Sequence, residues 1–116
     1  HNGQGFRADE DFEPKRDNHV RIACVGGSTT YGTGVADNGE TYPAQLERIL
    51  NDPESSAETR YEALNLGVGG YTSLEVDALL AEEGLALNPD IVLIQCAIND
   101  VGPRLYDGFR CDYGHF

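Results

Sequence analysis

The sequence predicts an α/β fold on a parallel sheet with helices on both faces, and three observations carry that prediction. Short β-rich runs alternate with helix-period segments in the order strand, loop, helix, strand, loop, helix, strand. The first two runs break into glycine-rich loops, "GGSTTYG" and "GVGGYTS". The third, "DIVLIQCAI", is nearly continuous in apolar residues, the composition of a central strand covered on both faces. Right-handed crossovers bring all three post-strand loops to one edge of the sheet, where open α/β sheets bind their ligands.

Residues 1–19 are polar and read as an irregular lead-in, with Phe6 and Phe12 able to pin it to the body. Strand one is Val20–Val25, a β-branched run stopped by Gly26 and Gly27. A Gly/Thr loop runs to Glu40. In "TYPAQLERILN", Thr41 suits an N-cap and Pro43 the first turn, and Tyr42, Leu46, Ile49 and Leu50 share one helical face. "NDPESS" breaks that helix, and "YEALNLG" is strand two. Thr72 and Glu75 have capping-box spacing, and Leu74, Ala78, Ala81 and Leu85 form a stripe behind them. "NPD" turns the chain into strand three, and the remainder reads as loop.

The length, 116 residues, fits one domain. A third strand this apolar is an aggregation hazard at a sheet edge. Residues 20–116 are therefore expected to be the N-terminal part of a larger α/β domain that folds poorly by itself. Twenty acidic residues against eight basic ones give a net charge of −12, which excludes a nucleic-acid partner. No apolar run approaches the ~18 residues of a membrane span. Cys24 and Cys96 lie in apolar runs and read as small core residues, while Cys111 is in a polar loop. No cysteine spacing suits a metal or a redox pair.

The three loops carry the chemistry. Ser28 follows Gly26 and Gly27 at a strand-to-loop corner, where glycines let the backbone turn and expose a hydroxyl. Gly69 and Gly70 offer bare N–H groups, and Asn99 offers an amide donor, while Asp100 beside it suits bracing the loop. Acyl transfer from an ester needs a nucleophilic oxygen and two or three donors for the oxyanion. Turn formation alone would also account for each of these residues.

The blocks "VGGSTTYG", "NLGVGGYTS" and "AIND", in this order, resemble the SGNH/GDSL hydrolase family, a three-layer, flavodoxin-like α/β group of esterases and lipases. The resemblance implies Ser28 as nucleophile, with its own N–H as one oxyanion donor. It implies Gly70 as the oxyanion glycine and Asn99 as the oxyanion asparagine. It implies no cofactor and no metal, and a small acyl ester or acylated carbohydrate as substrate. Gly27 stands where the family often has Asp. The family's base comes from an Asp-x-x-His after a later strand, so it is expected beyond Phe116. Asp112 and His115, in "DYGH", have the same spacing but follow Asn99 with no strand between.

Two other readings use the same residues. "STTYGT" has the hydroxyl and glycine content of a flavin- or phosphate-binding loop, but Thr33 stands where a P-loop needs Lys. A non-catalytic relative could also bind acylated glycans without cleaving them.

Overall fold

The computed structural model describes residues 1–54 and 58–110. Strand β1 (His19–Gly26) lies between β2 (Arg60–Gly67) and β3 (Ile91–Gln95), and both pairings are parallel. The first crossover places β2 on one side of β1, and the second passes back over β1 to place β3 on the other. The central strand is thus β1, whose residues Arg21 to Gly26 are all buried. The sequence expectation of a central β3 does not hold among the described residues, since β1 is its one partner. Ile91 and Ile94 stay 43% and 61% exposed.

Around β1 and β2 the sheet is covered on both faces. Ala23 and Val25 of β1 lie opposite Leu64 and Leu66 of β2, and helix α3 (Ser73–Leu79) lays Val76 and Leu79 on this layer. On the other face, Cys24 meets Tyr42 of helix α2 (Tyr42–Leu50). Two helical stripes differ from expectation. The face of α3 and its continuation turns inward at Val76, Leu80 and Gly84, while Leu74 and Leu85 are exposed. Both registers have i, i+3/i+4 spacing. Gly84 decides between them, because a Cβ there would lie 3.0 Å from Leu80 and 3.4 Å from Leu66. In α2, Pro43 is buried and Ile49 is 68% exposed. Thr41 is the N-cap, but its hydroxyl donates back to the Asn38 carbonyl (2.8 Å).

The free edge of β2 is closed by α2. The Asn51 amide accepts from Tyr61 N–H (3.0 Å) and donates to its carbonyl (2.8 Å), and Glu47 accepts from Ala63 N–H (2.8 Å). Side chains on an edge strand's backbone groups block further pairing. At the far end of the sheet, the buried Arg21 guanidinium pairs with Glu62 (2.9 Å) and donates to the carbonyls of Leu87 (2.8 Å) and Glu13 (2.7 Å). The lead-in is folded onto the body: Phe6 is 6% exposed and stacks on Phe12 at 5.6 Å.

Candidate active site

The loop after β1 is not irregular throughout. It contains a one-turn helix, α1 (Ser28–Tyr31), with Ser28 at its first position. Two glycines let this turn sit on the strand ends. A Cβ on Gly26 would lie 2.1 Å from the Gln95 carbonyl, and one on Gly67 would lie 2.1 Å from the Tyr31 nitrogen. First-turn N–H groups have no partner within a helix, so the Ser28 N–H is available to a ligand. The Ser28 side chain is partly buried, and its hydroxyl makes no hydrogen bond among the described residues.

Strand β3 stops at Gln95, earlier than its apolar composition suggests. Ala97 has φ +124°, a conformation that costs a non-glycine residue about 1–3 kcal/mol and recurs at functional sites. The chain then makes a 3-10 turn, Ile98–Asp100, followed by a short helix, α4 (Val101–Arg104), where the sequence reads as loop. This kink aims Asn99 back over the end of β1. Its amide donates to the Tyr71 carbonyl (2.8 Å). Asp100, 5% exposed, accepts from the N–H (3.0 Å) and hydroxyl (2.5 Å) of Ser73, which fastens the loop to the start of α3.

Ser28 and Asn99 share a cavity of about 150 Å³, lined also by Tyr71, Gln95, Cys96 and Ala97. Its place follows from topology. In the order β2-β1-β3, the chain runs from β1 out to β2 and crosses back over β1 to β3, and the hollow lies at the carboxyl ends of β1 and β3. Gly70 follows β2, on the other side of β1, and does not line this cavity. Its φ of +87° in the turn from Val68 to Tyr71 explains why a glycine stands there. Cys96 is half-buried, packed against the core cluster and also lining the cavity, whereas Cys24 is fully buried. A larger cleft, about 420 Å³, lies between the lead-in, α2 and β2 and does not include Ser28.

Beneath the cavity, Thr30 donates to the Gln95 side chain (3.3 Å) and is hydrogen-bonded to Tyr42, which also meets Cys24. Burial pushes the Tyr42 phenol up to about 12, against the smaller opposing effect of Thr30. Burial likewise raises the Cys24 thiol, which stays protonated and unreactive near neutrality. The Thr72 hydroxyl, with its N–H (2.7 Å), holds the Glu75 carboxyl below its ordinary range and forms the expected cap of α3. Asp112 and His115, and Cys111, lie outside the described residues. Among those described, no imidazole or carboxylate lines the cavity, and no cluster of His, Cys, Asp and Glu could hold a metal ion. No described helix is long and apolar enough to cross a membrane.

Sequence reasoning missed Gln95, which reads as mid-strand, and the Tyr71 carbonyl, which no side-chain pattern reports. It also missed Arg7, whose guanidinium donates to the carbonyls of Gly32 and Val35.

Comparison with known proteins gives three findings. Residues 24–109 match the family model of the GDSL-like Lipase/Acylhydrolase family. An acetylxylan esterase of Xylanibacter ruminicola is 35% identical over 98 residues, covering 78% of this chain and 19% of that protein. The crystal structure of AlinE4, an SGNH-hydrolase family esterase, superposes with a TM-score of 0.58 at 26% identity, covering 79% of this chain and 47% of that one. The chain thus spans about a fifth of the relative and about half of the solved structure.

Proposed function

Since the chain belongs to the GDSL-like lipase/acylhydrolase family, we propose that it carries the nucleophile and oxyanion donors of a serine esterase acting on short acyl esters, O-acetyl groups on carbohydrate foremost. The observation that carries this reading is the shared cavity: Ser28 and Asn99, distant in sequence, face one hollow at the carboxyl ends of β1 and β3. On this reading Ser28 Oγ attacks the acyl carbonyl. Its proton passes to an imidazole base, and the carbonyl π electrons move onto oxygen. The Ser28 N–H and the Asn99 amide hold that oxyanion, with the Gly70 N–H, in the turn after β2, as the third donor that the family resemblance implies. Collapse of the intermediate breaks the bond to the alcohol, which leaves with the proton. Water then frees the acyl group by the reverse sequence.

The hollow, about 150 Å³, has room for a short acyl chain. The acetylxylan esterase relative supports acetyl as that chain. The chemistry calls for no cofactor. Steady-state hydrolysis of 4-nitrophenyl acetate and of acetylated xylan by the intact protein and its Ser28→Ala variant tests the reading. A loss of about 10³-fold or more in kcat is expected. Undiminished turnover in Ser28→Ala would remove it.

A further inference from the structure

We propose that Arg7, in the lead-in, is a positioning residue for Ser28, and that the lead-in is thereby a working part of the site. This inference rests on the esterase reading above. The lead-in precedes the stretch matched by the family model, which begins at residue 24.

The argument starts from the shortness of α1. A single helical turn has no stability of its own, because nucleation fixes several residues for one hydrogen bond. The turn that presents Ser28 must be held from outside. Strand ends hold one side of it through the close approaches at Gly26 and Gly67. Arg7 holds the other end. Its Nη1 donates to the carbonyls of Tyr31 (3.3 Å) and Gly32 (2.6 Å), its Nη2 to that of Val35 (2.8 Å), and its Nε to Asn38 Oδ1 (3.0 Å). The guanidinium carbon lies 5.0 Å from the centre of the Tyr31 ring.

The carbonyls ending a helix lack intrahelical donors and carry partial negative charge. One planar cation collects two of them and joins them to the loop that follows. Gly32, in the left-handed region at φ +88°, closes the turn by donating to the Ser28 carbonyl (2.9 Å), and Thr33 N–H does the same (2.9 Å). Arg7 therefore grips the residue that is hydrogen-bonded straight back to Ser28. The grip is itself anchored. Asp9 accepts from the Asn38 amide (2.7 Å), and Phe6, next to Arg7, is buried in the core cluster. Lys cannot reproduce this, because four acceptors spread across a plane match a fork of donors and not a point charge.

The test is kinetic, on the intact protein, with 4-nitrophenyl acetate well below the melting temperature. Arg7→Lys is expected to lower kcat about 10-fold and Arg7→Ala about 100-fold, with KM nearly unchanged, since a misplaced nucleophile slows chemistry rather than binding. Asn51→Ala, which loosens the β2 edge away from the site, serves as the comparison. It is expected to lower the melting temperature while keeping kcat. Wild-type kcat in a folded Arg7→Ala, or an equal fall in Asn51→Ala, overturns the proposal. If Arg7→Ala does not fold, Arg7→Lys decides by the same criterion. If the wild-type protein hydrolyses no ester, the esterase reading has failed, and amide exchange then judges the brace. Loss of protection at Gly32 and Thr33 in Arg7→Lys supports it, and unchanged protection overturns it.

Discussion

The Asn99 amide occupies the space that a side chain on Gly27 would need: its nitrogen lies 2.9 Å from where a Cβ on Gly27 would stand. The Tyr71 carbonyl, the acceptor of that same amide, lies 3.3 Å from the same point. Gly27, the residue before Ser28, and Asn99 are thus packed as a pair. This accounts for the glycine at position 27 of this chain.

Gly27→Ala is expected to displace the Asn99 amide by a few tenths of an ångström without unfolding the protein, because the obstructing atom ends a side chain. Misplaced donors weaken transition-state binding selectively, so kcat should fall about 10-fold with KM held. Equal kinetics in the two proteins would mean that Asn99 does not contribute from this position.

Asn99→Ala removes the donor outright. Loss of one oxyanion donor lowers kcat by about 10²–10³ where it has been measured, and the same range is expected here. The melting temperature should also drop, since the Tyr71 carbonyl loses its partner. A rise in KM alone would instead make Asn99 a binding residue.

Tyr42 links the cavity floor to alkaline stability. Its phenol is pushed up to about 12 from 10.0, so the folded state favours the neutral form. That contribution is complete below about pH 10 and disappears as pH rises through about 12. Tyrosinate absorbance should show a late-titrating component that is lost in Tyr42→Phe. In that variant the fall in stability between the same two pH values should be shallower. A Tyr42→Phe titration indistinguishable from wild type would contradict this.

His115 distinguishes two sources for the base. The resemblance implies a base on a later element, so His115→Gln in the intact protein is expected to keep kcat within about twofold. A loss comparable to that of Ser28→Ala would assign the base to Asp112 and His115 instead.

The strands and both long helices were legible because their signals are local: β-branched runs, a Pro in the first helical turn, Thr72 and Glu75 at capping spacing. The site was legible as a set of loops, because parallel crossovers leave no other edge for them. Strand order was not. Which strand is central depends on where the second crossover lands, and β1, with its Cys and Ala, looks less apolar than β3. The helix faces misled at Leu74 and Ile49, since two overlapping stripes fit the same period and only the close packing of Gly84 chooses. Arg7 was hidden because its partners are backbone carbonyls, which no side-chain pattern encodes.

Ser28 stands or falls as the nucleophile. Intact-mass and peptide mass spectrometry after brief exposure of the protein to a fluorophosphonate ester tests it directly. A single adduct on the peptide bearing Ser28, formed together with loss of esterase activity and absent in Ser28→Ala, is the expected result. Loss of activity with the adduct on another residue, or full activity in a protein modified at Ser28, would contradict it.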